Sequence, residues 1–278
     1  MLKRAAIAPA LATVGLLAAG QRPAQADGRG DPLLGDLDGD GITDRAALSV
    51  GGPATCNVTL ELGDGTGGYG PPAVYTYPKP GTSVAYCPDM GVIVDLGGDG
   101  TAELVLAWFV GAPLGTADLL VLRDYSPTAG FDAVFQPSYI GLADFNGDGL
   151  QDIYEWTDQG EGFRSFLNTA SGQLVPGPVK LCFRSRPRTL EFADFDGDGA
   201  TDVLLAYVQG CGGGPGGVSV VLDDGTEVRL QTMDSPLPWH ADVVDAYNDD
   251  VLDVLTASPA TGEIQLFLGD GAGNFKAK

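Results

Sequence analysis

Clusters of aspartate residues recur along the chain with the spacing of a metal-binding loop. The clearest copies read DLDGDGITD (36–44) and DFDGDGATD (194–202). Carboxylates held this closely repel one another unless a cation lies between them. Oxygen ligands without His or Cys favour a hard cation, and five or six protein oxygens in a flexible loop favour Ca²⁺ over Mg²⁺. We therefore expect calcium as a cofactor.

Three further copies of the loop follow the same nine-residue pattern. They read DLGGDGTAE (95–103), DFNGDGLQD (144–152) and DAYNDDVLD (245–253). In such a loop the side chains at positions 1, 3, 5 and 9 turn inward, and the backbone carbonyl at position 7 supplies another ligand.

The predicted ligands come from the first four loops in chain order. They are Asp36, Asp38, Asp40, Ile42 and Asp44; Asp95, Asp99, Thr101 and Glu103; Asp144, Asn146, Asp148, Leu150 and Asp152; and Asp194, Asp196, Asp198, Ala200 and Asp202. The second loop has Gly97 at position 3, so we expect weaker binding there. The fifth has Tyr247 at position 3 and Asp250 at position 6, and we expect it not to bind calcium.

The spacing of the loops predicts the fold. Their starts lie 59, 49, 50 and 51 residues apart, a period typical of propellers and repeat arrays. Short apolar runs separated by Gly and Asp turns predict four strands in each copy, and several runs are apolar on both faces. We expect an all-β fold of five repeats that start near residues 32, 91, 138, 189 and 240.

The amino terminus and the composition indicate a secreted protein. Residues 1–26 combine a basic start, an apolar run and the sequence AQA (24–26), which predicts a signal peptide cleaved near Ala26. No later run is long and apolar enough for a membrane span. The formal net charge of −22 argues against nucleic acid and anionic membranes as partners.

The D-x-D-G-D-G-x-x-D loops resemble those of the FG-GAP/VCBS repeat family, which includes integrin α-subunit propellers and secreted bacterial proteins. The resemblance extends over essentially all of residues 32–278. It implies that residues 27–278 form a β-propeller of four-stranded blades with calcium loops between the first and second strands. Integrin propellers have seven blades, whereas five repeats are present here. The ring therefore closes with five blades, or it stays incomplete and pairs with another chain as a homo-oligomer.

Four cysteines in a secreted chain suggest two disulfides, and three pairings are possible. The blade register places Cys56 and Cys211 between second and third strands, and Cys87 and Cys182 at or after the end of a fourth strand. All four then share the face opposite the calcium loops. This arrangement favours the pairs Cys56–Cys87 and Cys182–Cys211.

The sequence favours binding over catalysis. The only histidine is His240, and neither a G-x-S-x-G nor an H-E-x-x-H motif is present. We expect a non-catalytic binding or adhesion module for a protein or glycan. The alternative is a calcium-dependent or calcium-stabilised lectin, with Trp239 and Tyr69 as possible ligand contacts, and a glycoside-active enzyme is less favoured. The Arg29-Gly30-Asp31 tripeptide is a weak adhesion signal.

Overall fold

The computed structural model describes residues 32–79, 86–109, 119–124, 126–131, 137–157, 161–233 and 239–278. The predicted signal peptide and the Arg29-Gly30-Asp31 tripeptide lie outside the described residues. Within the described ranges, no helix is long and apolar enough to cross a membrane.

The described chain is all-β and forms five four-stranded antiparallel sheets, which confirms the predicted all-β class and the four strands per repeat. The first sheet contains β1 (Leu33–Gly35), β2 (Asp44–Gly52), β3 (Thr55–Glu61) and β4 (Ala73–Pro78). The second contains β5 (Met90–Val94), β6 (Glu103–Ala107), β7 (Leu119–Arg123) and β8 (Ser126–Phe131). The third contains β9 (Tyr139–Ala143), β10 (Asp152–Thr157), β11 (Gly162–Asn168) and β12 (Leu174–Leu181). The fourth contains β13 (Thr189–Ala193), β14 (Asp202–Gln209), β15 (Pro215–Val221) and β16 (Glu227–Met233). The fifth contains β17 (His240–Val244), β18 (Asp253–Ala257), β19 (Ile264–Gly269) and β20 (Phe275–Ala277).

Each sheet is a simple meander in which every strand pairs with its neighbour in sequence. The short Gly- and Asp-rich connections permit this order, because antiparallel strands need only a tight turn between them. Every aspartate-rich loop therefore joins the first strand of a sheet to the second, and the second strand starts at loop position 9.

Four hydrophobic clusters lie between consecutive sheets. One joins the first sheet to the second, and three more join the second to the third, the third to the fourth and the fourth to the fifth. The central strands are buried on both faces, as in β14, where Val203 faces the third sheet and Leu204 faces the fifth. This explains why these strands read as continuous apolar runs rather than as alternating ones.

The structure confirms both predicted disulfides. Cys56 pairs with Cys87 at a Cα–Cα distance of 5.6 Å, and Cys182 pairs with Cys211 at 5.5 Å. One detail differs from the expectation: Cys56 lies inside β3 and is buried, rather than in the preceding loop. Two disulfides are typical of a protein that resides outside the cytosol.

Candidate metal centres

The five aspartate-rich loops lie at the same end of their sheets, and loops of neighbouring sheets touch. The backbone N–H of Thr201 in the fourth loop donates to the carbonyl of Asp144 in the third at 2.9 Å. Asn168, which ends β11 of the third sheet, donates from Nδ2 to the carbonyl of Asp95 in the second loop at 2.9 Å. Loops and strand ends from successive sheets thus form one continuous surface.

The aspartate at position 1 organises the loop around its carboxylate. Asp36 accepts hydrogen bonds from the backbone N–H groups of Gly39 and Gly41, both at 2.8 Å. The carboxylate at position 5 then accepts from the N–H of position 7, as in the bond from Ile42 to Asp40 at 2.8 Å. These bonds fold the backbone so that several carboxylates converge, because Asp side chains bond readily to backbone groups two residues on.

Positions 4 and 6 of the loop adopt left-handed backbone conformations. In the first loop these are Gly39 (φ 78°) and Gly41 (φ 81°), where glycine avoids the strain of a Cβ atom. The fifth loop reaches the same conformation with Asn248 (φ 55°) and Asp250 (φ 63°), two residue types that tolerate it. The fifth loop therefore keeps the backbone shape, although Tyr247 offers no carboxylate or amide oxygen at position 3. That it does not bind calcium stays a prediction.

The carboxylate at position 9 has a second role that the sequence did not reveal. Asp202, which is fully buried, accepts from the N–H of Phe195 at 2.7 Å and from the N–H of Asp223 at 2.8 Å. It therefore ties loop position 2 to the turn that follows the third strand. The same pair of bonds forms in the first, third and fifth sheets, at Asp44, Asp152 and Asp253.

Burial has a strong effect on the pKa of these carboxyl groups. Loss of hydration raises the pKa of Asp202 to about 7 and that of Asp152 to about 6, despite the lowering effect of the backbone hydrogen bonds. Negative neighbours add to both shifts, among them Asp196 for Asp202 and Asp148 for Asp152. A bound cation would act in the opposite direction and favour the charged form.

Acidic side chains converge in the first and fourth loops. Ligand atoms of Asp36, Asp38 and Asp40 lie within 4.8 Å of one another, as do those of Asp194, Asp196 and Asp202. Among the described residues, groups of three acidic side chains drawn from a single loop occur only in the first and fourth loops. Position 3 of each of the other three loops is not acidic.

A third group adds a residue that the sequence analysis missed. Asp223 lies with Asp196 and Asp198 in a group of the same size, and it follows the third strand of the fourth sheet. Burial raises the pKa of Asp223, and the charges of Asp198 and Asp196 raise it further. The LDDGTE turn (222–227) is visible in the sequence, but the pairing of β14 with β15 and the hydrogen bond from the N–H of Asp223 to Asp202 bring it to the loop.

Orphaned oxygens inside the loops fit a cation. Asp144 Oδ1 in the third loop and Asp196 Oδ1 in the fourth are buried and have no hydrogen-bond partner among the described residues. A buried carboxylate oxygen without a donor is costly, and a bound cation supplies the missing interaction. In the third loop Asn146 Oδ1 accepts from the N–H of Asp148 at 3.2 Å, so an amide replaces the carboxylate at position 3. The residues present therefore fit calcium, which prefers such oxygen ligands.

The second loop differs at both of its unusual positions. Gly97 at position 3 has φ 97°, a conformation found at position 3 in none of the other described loops. Glu103 at position 9 forms an ion pair with Arg123 at 3.1 Å and accepts from the N–H of Leu96 at 2.9 Å. Arg123 also donates to the carbonyl of Gly172 at 2.6 Å. A protein cation therefore already neutralises the position 9 carboxylate, in keeping with the expected weaker calcium binding.

The two predicted ligand contacts occupy different environments. Tyr69 is 37% exposed and lies under the Arg45 guanidinium, which is 4.4 Å from the ring centroid. Trp239 is half-buried and packs against the cluster between the fourth and fifth sheets. Neither position tests the predicted role in ligand binding.

The comparison with known protein families agrees with the resemblance of the loops. Residues 144–205, from the start of the third loop into β14, match the FG-GAP-like repeat family. The chain thus contains an FG-GAP-like repeat. No curated protein matches the chain significantly.

Proposed function

We propose that this protein is a secreted, calcium-binding β-propeller of five blades that acts as a non-catalytic binding or adhesion module for a protein or glycan. The observation that carries the proposal is the repeated loop geometry. The same carboxylate-centred hydrogen bonds recur in five successive sheets, and the first, third and fourth loops also have an oxygen-bearing side chain at every predicted side-chain ligand position.

The propeller arrangement is supported by the stacking of the sheets. Consecutive sheets pack face to face in chain order, and their loops meet at one end. Leu255 is the third residue of β18. The third residues of β6 and β14, Val105 and Leu204, are buried against the next sheet along the chain. Leu255 itself is half-buried. We propose that this face of the fifth sheet meets the first sheet of the same chain, or of a second copy if the ring stays open.

Calcium would stabilise the platform rather than perform chemistry. Each ion would neutralise the converging carboxylates and fix the turn between the first two strands of a blade. Because neighbouring loops share hydrogen bonds, the ions would also order the end of the molecule that the loops form.

A non-catalytic role agrees with how the titratable groups are used. Both carboxylate oxygens of Asp152 and of Asp202 accept backbone hydrogen bonds. This arrangement suits a carboxylate that holds two backbone segments together better than one that acts as a general acid. His240 Nε2 accepts from Arg188 Nε at 2.9 Å, so this ring nitrogen is already engaged. The predicted signal peptide and the two disulfides support secretion.

Thermal melting in calcium, magnesium and EDTA tests the proposal. We expect calcium to raise the melting temperature well above that in EDTA, magnesium to raise it less, and Asp196→Ala to lose part of the calcium effect. Asp224→Ala, an exposed aspartate in a nearby turn, is the matched control and should keep the full effect. A melting temperature that is the same in calcium and EDTA would contradict calcium binding.

A lectin is the second candidate, because the aromatic residue Tyr69 is partly exposed in the connection between β3 and β4. Glycan-array binding in calcium and in EDTA distinguishes the candidates. Binding to a defined sugar family supports a lectin, whereas a blank array with folded protein supports a protein partner.

A further inference from the structure

Basic residues concentrate at one place on this acidic molecule. The chain has 15 Lys and Arg residues against 37 Asp and Glu, yet Lys180, Arg184, Arg186 and Arg188 fall within nine consecutive residues. All four side chains belong to exposed residues. Their segment joins β12 of the third sheet to β13 of the fourth. Since β13 runs from this segment into the fourth loop, the segment lies at the end of the sheets opposite the aspartate-rich loops.

The backbone of this segment is anchored without using the arginine side chains. Cys182 is held by its disulfide to Cys211, and Phe183 forms a β-bridge with Gly210. The N–H groups of Arg184 and Arg188 donate to the carbonyls of Gln209 and Ala206 at 2.9 and 2.7 Å. The segment therefore presents its side chains from a fixed backbone.

The arginine side chains lack compensating acids among the described residues. Arg184 and Arg186 form no ion pair with any described residue, and Arg188 donates to Nε2 of His240 rather than to a carboxylate. Arg164 and Lys180 are directly opposite each other in the β11–β12 register, where like charges are unfavourable. Arg164 has one acidic contact, Glu161, at 3.3 Å between two exposed side chains. An anion bound here would relieve this repulsion.

We propose that this basic surface, formed by Arg164, Lys180, Arg184, Arg186 and Arg188, binds an anionic polysaccharide that carries carboxylate or sulfate groups. The inference rests on the proposed binding function and names its ligand class, and it does not require calcium. Guanidinium groups form bidentate hydrogen bonds with planar or tetrahedral oxyanions.

The charge of the surrounding molecule favours a polysaccharide over nucleic acid. Duplex nucleic acid carries one charge per about 1.7 Å, so the strongly acidic remainder of the molecule would repel it more strongly than a polyanion with more widely spaced charges.

The test measures binding of the purified protein to heparin, polygalacturonate, neutral dextran and duplex DNA by calorimetry in calcium. Heparin represents sulfate and polygalacturonate represents carboxylate groups. We expect binding to at least one of these polyanions and none to dextran. Arg184→Gln/Arg186→Gln should weaken that binding at least tenfold and reduce its salt dependence. Lys276→Gln/Lys278→Gln removes the same charge from the fifth sheet and should change affinity less than twofold.

Several outcomes would overturn the inference. These are no binding to either polysaccharide, an equal loss in both double variants, or tighter binding to DNA than to both polysaccharides. The calcium-dependent melting of each sample is measured in parallel. A folded, calcium-stabilised protein that binds no polyanion would remove this inference alone, whereas a melt insensitive to calcium would count against the proposed function.

Discussion

The carboxylate of Asp202 accepts a 2.7 Å hydrogen bond from the backbone N–H of Phe195, seven residues earlier in the same loop. This bond explains why the acidic loop leads directly into an apolar strand. The side chain of Phe195 is buried between the fourth and fifth sheets, and Asp202 begins β14. The side chain of Phe195 therefore packs in the core, while its backbone N–H bonds to the Asp202 carboxylate and closes the loop.

Replacing Asp202 by Ala should destabilise the protein even without metal. The change leaves the N–H groups of Phe195 and Asp223 unpaired in a buried place, at a cost of about 1–3 kcal/mol each. Urea unfolding in EDTA measures this loss separately from any effect of calcium. Asp224→Ala, at an exposed turn, should change the free energy of unfolding by less than about 1 kcal/mol. Equal stability of Asp202→Ala and the unmodified protein would refute the stabilising role of these two hydrogen bonds.

An aspartate introduced at position 3 should act differently in two of the loops. Asn146→Asp adds a carboxylate where the loop already has a suitable shape, so calcium affinity should increase. Gly97→Asp places a side chain at φ 97°, with its Cβ 3.0 Å from the N atom of Gly172, so it should destabilise the protein without adding a site. Calorimetric calcium titration of both variants checks this. A new tight site in Gly97→Asp would show that the backbone there adapts.

The two disulfides should differ in their contribution to stability. The bridges close segments of 31 and 29 residues, so loss of either should cost about 3–4 kcal/mol in chain entropy. Cys56→Ser/Cys87→Ser additionally places a hydroxyl at a fully buried position, whereas Cys182 is exposed. Urea unfolding should therefore show the larger loss for Cys56→Ser/Cys87→Ser. The reverse order would contradict the burial argument.

Calcium-free protein should lose stability as the pH rises. Burial raises the pKa of Asp202 to about 7 and that of Asp152 to about 6, whereas an Asp in the unfolded chain titrates near pH 3.9. Between these values the folded state binds more protons than the unfolded state, so stability falls from about pH 4 to about pH 7. Melting in EDTA at pH 5 and pH 8 tests this. The control variant Asp224→Asn should show the same change in melting temperature with pH as the unmodified protein. A melting temperature that rises over this range would contradict the raised pKa values.

Much of the fold could be predicted because its signals are local. The loop period and the turn residues located the repeats closely, as in the fourth and fifth sheets, whose first strands begin at Thr189 and His240 where repeats are predicted to start. The disulfide pairing also followed from strand order. The predicted position of Cys56, in the loop before the third strand, was wrong by a residue or two. The turn before β3 is shorter than the sequence indicates, so Cys56 lies within the strand.

The features of the candidate site that the sequence did not predict depend on contacts between residues that are distant in sequence. Arg123 reaches Glu103 from a neighbouring strand, and nothing in the sequence around either residue signals the pair. Asp223 joins the fourth loop only because β14 and β15 are paired. The carboxylate at position 9 is a predicted ligand that also accepts two backbone hydrogen bonds. The sequence alone does not indicate the second role, because one of the donors lies at the end of the third strand or just after it.

Equilibrium dialysis with radioactive calcium tests the central claim most directly, because it counts bound ions. Calcium should occupy the first, third and fourth loops, and Asp38→Ala should remove about one ion per molecule because Asp38 is a predicted ligand of the first loop and alanine offers no side-chain oxygen. Asp64→Asn, at an exposed turn of the same sheet, should leave the count unchanged. Absence of bound calcium at millimolar concentration in a folded sample, or the same count in Asp38→Ala, would contradict the assignment of these loops as calcium sites.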